Sequence, residues 1–171
     1  MPATVAVIGL LIGYWFNLRL ARRRDRLERV NEQLKDLYGP LLALVSAADS
    51  SWASFRDQYR PHGSFWGRDP EPTDDEAHAW RRWMSTVFMP LNRQMRDVIV
   101  TKAHLFEEPE IPECLLRLCA HVSAYEPVLD RWSEGDYAEH VPGLAFPRRE
   151  TLEYAVTSFK RLKTRQQELL R

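Results

Sequence analysis

Apolar residues recur three or four positions apart along the first third of the chain: Leu27, Val30, Leu34, Leu37, Leu41, Leu44, Ala48, Trp52, Phe55 and Tyr59. That spacing predicts a helical stripe sustained over about nine turns, and nothing in it reads as strand. The stripe crosses Gly39-Pro40 in LKDLYGPLLALV. Proline removes a backbone donor and disfavours the helical region for the residue before it. Because the apolar phase survives from Leu37 to Leu41, the pattern predicts a kink and not a chain reversal. Gly39 and Pro40 then have two readings, a hinge between a stalk and the body of the protein, or a static bend.

Three further stripes follow. Residues 60–73, RPHGSFWGRDPEPT, hold three prolines and two glycines and read as a loop. Thr73 and Glu76 form a capping-box signature. The helix they open points Trp80, Trp83, Met84, Val87, Phe88, Leu91, Met95, Val98 and Ile99 inward, with a bend expected at Pro90. After EEPEIPE a third helix carries Leu115, Leu118, Cys119, Val122, Tyr125, Val128, Leu129 and Trp132. Beyond SEGDYAEHVPGLAFP, Pro147 opens a fourth with Leu152, Ala155, Val156, Phe159, Leu162, Gln166 and Leu169. Helices with one apolar face each can bury those faces only against one another, so the expected class is all-α, an antiparallel four-helix bundle.

The first residues break the amphipathic rule. From Pro2 to Leu18 the only strongly polar residue is Asn17, leaving roughly 16 apolar or small residues, about 24 Å of helix. Positive charge follows the run and no small-residue cleavage site appears, which argues against a cleaved secretory signal. The expectation is a transmembrane anchor over residues 1–18, a basic juxtamembrane segment over 19–29 and a cytoplasmic helical bundle over 30–171. The N-terminus would lie outside, by the positive-inside rule. Tyr14 and Trp15 fall where an interfacial aromatic belt would, and Arg19, Arg22, Arg23, Arg24, Arg26 and Arg29 would meet lipid headgroups. Gly9 and Gly13 make a G-x-x-x-G pair, read either as a helix-association face giving a homodimer or as two incidental glycines.

Charge adds a second layer. The 24 basic and 24 acidic residues cancel, but residues 107–139 are acidic and residues 148–171 basic. Acidic and basic elements of this kind pair within one fold. The acidic turn around Glu107 is expected to face the arginine segment. Arg148, Arg149, Lys160, Arg161, Lys163 and Arg165 give the last helix a basic face, yet without interleaved aromatics or a motif a nucleic-acid partner ranks last. Cys114 and Cys119 lie roughly 140° apart around a helix and read as reduced thiols.

Chemistry is sparse. The chain lacks the Glu-x-x-His pairs of di-iron bundles, and Asp75-x-x-His78 at a helix start reads as capping. The letters DEAH occur without a phosphate-binding loop, and no G-x-S-x-G is present. Cys119 and His121 point about 200° apart on a helix, which disfavours a zinc site. No catalytic residue, metal or cofactor is implied. Phe65 and Trp66, in a loop rich in glycine and proline, read either as a cap folded onto the helices or as exposed partner-binding anchors. LYGPLLALV and HVPGLAFP together resemble a set of uncharacterised small bacterial membrane proteins. That resemblance implies single-pass topology and a helical domain, with no activity attached. The expected function is a non-enzymatic scaffold that holds a cytoplasmic protein, or a second copy, at the membrane. A sensor or effector subunit of a stress or phage-defence system is the alternative.

Overall fold

The computed structural model describes residues 2–62, 64–67 and 70–171, with side chains from residue 13 onward. The described residues are helical and contain no strand. Helix α1 (Pro2–Gln33) passes through a π-helical turn, Leu34–Tyr38, straight into α2 (Gly39–Tyr59). Helix α3 (Asp74–Trp83) does the same through a second π turn, Met84–Phe88, into α4 (Met89–Thr101). A short 3-10 turn, Ala103–Leu105, leads to α5 (Glu113–Ser133), and α6 (Arg148–Leu170) closes the chain. Two interrupted rods and two plain helices therefore give four helices.

Both π turns have one cause. Pro40 and Pro90 lack an N–H, and in an unbroken α-helix the proline ring would press on the carbonyl four residues back. A π turn inserts a residue just ahead of each proline. Gly39 N–H bonds to the Leu34 carbonyl and Met89 N–H to the Met84 carbonyl, five residues back in each case. The bend expected at each proline is locally a π turn, and the extra residue lets two neighbours face inward together. Leu37, Tyr38 and Met89 are fully buried and Phe88 nearly so.

The apolar stripes meet in one core. At one end an aromatic cluster surrounds Phe55, whose ring lies 5.0–5.9 Å from those of Trp52, Tyr59, Phe65, Trp80, Trp83 and Phe88. The Thr73 capping box forms in both directions and starts α3. Along α6 the partners on the first rod run in reverse order: Leu169 with Arg23, Gln166 with Asn31, Tyr154 with Tyr38 and Arg148 with Asp49. Charge segregation resolves into internal pairs, since Arg161 bridges Glu107 and Glu108 and Arg165 bridges Glu107. The acidic turn thus pairs chiefly with α6. Its contact with the arginine segment is through backbone, Arg29 donating to the His104 carbonyl at 2.5 Å.

The membrane expectation is corrected. Among the described residues no helix is long and apolar enough to cross a membrane. The apolar run gives about 24 Å of helix against the ~30 Å of a bilayer core, and the arginines enter the same unbroken α1 straight after it. The single-pass topology, the external N-terminus and the cytoplasmic assignment fall with the anchor. So does the case for Tyr14, Trp15, Arg19, Arg22, Arg23, Arg24, Arg26 and Arg29 as membrane-interface residues. From Gly13 to Arg26 this part of α1 is exposed apart from Leu18, which is half-buried. The surroundings of Gly9 lie outside the described side chains, and Gly13 has nothing within 4 Å of where a Cβ would sit.

Candidate functional site

The helices leave a cavity of about 420 Å³ between α2, the α3–α4 rod and α5. Helical spacing builds its walls. Val45, Ala48, Asp49 and Trp52 share one face of α2, while Trp80, Met84, Phe88 and Asn92 form a single ridge at four-residue steps. His121 and Tyr125, one turn apart on α5, complete the wall.

The roof is a strap, residues 141–146, that crosses from α5 back toward α6. Its path begins at Gly135, whose φ of 83° lies in the left-handed region. Gly135 N–H bonds to the Trp132 carbonyl and Asp136 N–H to the Arg131 carbonyl, the paired bonds of a glycine-terminated helix end. Four core side chains then hold the strap and the two residues leading into it by their carbonyls. Trp132 Nε1–H donates to Glu139 (2.7 Å), Trp80 Nε1–H (3.0 Å) and the Tyr125 hydroxyl (2.7 Å) both donate to His140, and His121 Nδ1 binds Leu144 (2.7 Å).

Polar groups in the cavity are few and specific. The Leu144 carbonyl can only accept, so His121 carries its proton on Nδ1 and presents Nε2 as an acceptor. Burial holds the His121 pKa below the ordinary histidine value, which keeps the ring neutral near pH 7. Burial likewise pushes the Tyr125 hydroxyl well above the usual tyrosine range, so it remains a donor. Asn92 is 5% exposed and its carboxamide has no hydrogen-bond partner among the described residues. At the rim Arg148 Nε donates to Asp49 at 2.7 Å, and its guanidinium lies 6.0 Å from the centre of the Trp52 ring.

This wiring gives stability a pH dependence with a defined sign. A histidine with a depressed folded-state pKa binds its proton more readily when unfolded. Its contribution is present in full above the ordinary value of about 6.5 and is lost as pH falls through the folded-state pKa. His140 is shifted the same way, by burial first and by Arg81 second. We expect His121→Asn, which keeps a donor for the Leu144 carbonyl but does not titrate, to flatten the fall in melting temperature between pH 6.5 and 5. An unchanged slope would assign that fall to other groups.

The residues singled out in the sequence do not converge. Phe65 is 3% exposed and stacked on Trp80. Trp66 is half-buried and stacks on His140 at 4.4 Å with the planes 7° apart. The loop therefore lies folded against the helices. Gly39 and Pro40 are half-buried at the first π turn, on the part of the rod that leads to the cavity wall. Cys114 and Cys119 are free, half-buried thiols whose pKa values burial raises. The cavity itself went unread in the sequence, although HVPGLAFP is its roof. The available signal was a histidine and an asparagine standing where the stripes called for apolar residues.

Comparisons with protein-family models, curated proteins and solved structures return no match. The resemblance drawn from LYGPLLALV and HVPGLAFP assigns no family.

Proposed function

We propose that the chain is a non-enzymatic, ligand-responsive helical module of the sensor type. Its four helices would form an antiparallel bundle that takes a small apolar molecule beneath the 141–146 strap. The reversed order of partners along α6 supports the bundle. The observation that carries the function is the cavity. At about 420 Å³ it falls within the range of roughly 300–1,000 Å³ common to small-molecule sites, and it combines apolar walls with a few directed polar groups. Calorimetric titration of the full chain with naphthalene tests the reading. One-to-one binding is expected in wild type, with loss in Ala48→Phe, which fills the cavity from α2. Binding that ignores the filled cavity, or no binding to either form, would refute it.

A second reading, a contact module, is favoured by one observation. Tyr14, Trp15 and Phe16 are 65%, 59% and 63% exposed, with Leu20 at 49% on the same helix. A second copy of the chain is the simplest occupant of that surface. Light scattering should then report a dimer that Trp15→Ser weakens, and a concentration-independent monomer would remove the reading.

A further inference from the structure

We propose that the cavity selects a neutral, mainly apolar molecule bearing one hydroxyl, which donates to His121 Nε2 and accepts from the Asn92 carboxamide. The proposal rests on the reading of the cavity as a ligand site and adds the chemistry of the ligand's head group.

Two side chains on different helices point to it. Asn92 ends the ridge of Trp80, Met84 and Phe88 on the cavity wall. Its carboxamide has no partner in the protein, yet its polar atoms are not among those sealed off from solvent, so it stands on the wall as a donor and acceptor open to a group that enters the cavity. His121 is committed on one nitrogen to the Leu144 carbonyl, which leaves the other as an acceptor only. A carboxamide offering both donors and an acceptor, beside an imidazole offering one acceptor, matches a head group that gives one proton and takes another. A hydroxyl does both.

Charged head groups fit poorly. Arg148, the cation on the rim, is already paired with Asp49. A carboxylate in the cavity would meet the lone pair of His121 and no uncompensated positive charge. An ammonium would find acceptors but would lose its hydration among aromatic and aliphatic walls. A purely apolar ligand would fill the space and leave Asn92 unsatisfied.

The test is calorimetric titration of the full chain with naphthalene, 2-naphthol and 2-naphthoate, which share a ring system and differ at the head. Apolarity alone ranks naphthalene first. Hydrogen bonding by the site ranks 2-naphthol first, by about tenfold or more over naphthalene, because a site that bonds a hydroxyl discriminates against the analogue lacking it. The naphthoate should bind weakest. Asn92→Leu should bring 2-naphthol and naphthalene to within about threefold of one another. His121→Asn keeps a donor for Leu144 while removing the ε nitrogen, and should likewise reduce the preference. Equal binding of naphthalene and 2-naphthol by wild type, or an undiminished preference in both variants, would overturn the proposal and leave the cavity reading standing. Failure of all three probes would overturn both. If Asn92→Leu does not fold, the wild-type ranking and His121→Asn still decide the matter.

Discussion

Phe55→Ala is expected to cost about 3–5 kcal/mol, toward the upper end of what a buried aromatic loses on truncation. Phe55 is completely buried. Its six aromatic neighbours come from α2, from the loop after it, from α3 and from the second π turn. Rings fixed on separate elements cannot relax into the vacated space as flexible aliphatic chains would, and the cavity term depends on that relaxation. The same substitution frees Phe65, 5.0 Å away, and with it the fold of the loop back onto the helices. Urea denaturation should report the loss, accompanied by a red shift in tryptophan emission as Trp66 and Trp80 gain water. Val100→Ala makes the control, since Val100 is 63% exposed on α4 and surface truncations of this kind stay within about 0.5 kcal/mol. A loss below about 1 kcal/mol for Phe55→Ala would mean that this cluster is not the rigid centre its geometry implies.

Much of the helical layout was legible because it depends on local periodicity. The stripe of Leu34, Leu37, Leu41 and Phe55 is buried as its spacing required, and Thr73 with Glu76 forms the box its letters spelled. What escaped was set by events that local spacing does not encode. The stripes read from the sequence do not include Tyr38 or Met89, and it is the extra residue of each π turn that brings them inward beside Leu37 and Phe88. For Phe65 and Trp66 the loop's composition leaves a folded cap and exposed anchors both open, and it is their contacts with Trp80 and His140 that decide for the cap. The acidic turn has two readings in the sequence. Arg161 and Arg165 on Glu107 are the acidic-to-basic pairing that the charge segregation suggests, whereas the expected facing of the arginine segment reduces to Arg29 on the His104 carbonyl. The cavity is the extreme case, because its walls come from α2, the α3–α4 rod and α5 and its roof from a fourth segment. The anchor failed differently: an apolar run near the lower length limit was extended to a full span by its flanking arginines, and the described helices do not support that extension.

Gly39→Ala is expected to destabilise the protein by about 1–3 kcal/mol, the usual penalty for forcing extra volume into a packed site. Helix propensity predicts the opposite sign, since alanine in a helix interior gains about 1 kcal/mol over glycine. The reversal follows from the π turn. A Cβ on Gly39 would stand 2.5 Å from the Leu34 carbonyl oxygen, the same oxygen that accepts the Gly39 N–H. Backbone, unlike the far end of a side chain, cannot swing aside without resetting the turn, and that turn positions the buried Leu37 and Tyr38. Tyr38 in turn carries the contacts to Tyr154, Glu108 and the Glu107 amide, so the disturbance reaches α6 and the acidic turn. Met89 occupies the equivalent place in the second π turn with a full side chain, which shows that the geometry can admit a Cβ once the backbone is set for it. Alanine at Gly39 should therefore strain the fold without preventing it. Proline and glycine act here on one turn, so their effects should not add. With Pro40→Ala the missing N–H returns, the α register becomes accessible, and the penalty of Gly39→Ala should shrink. Gly13→Ala on the open stretch of α1 should follow propensity and stabilise slightly. Urea titrations of the two single variants and the double variant measure the coupling. A Gly39→Ala protein more stable than wild type would mean that the π turn yields freely and that Pro40, not Gly39, is what sets this segment.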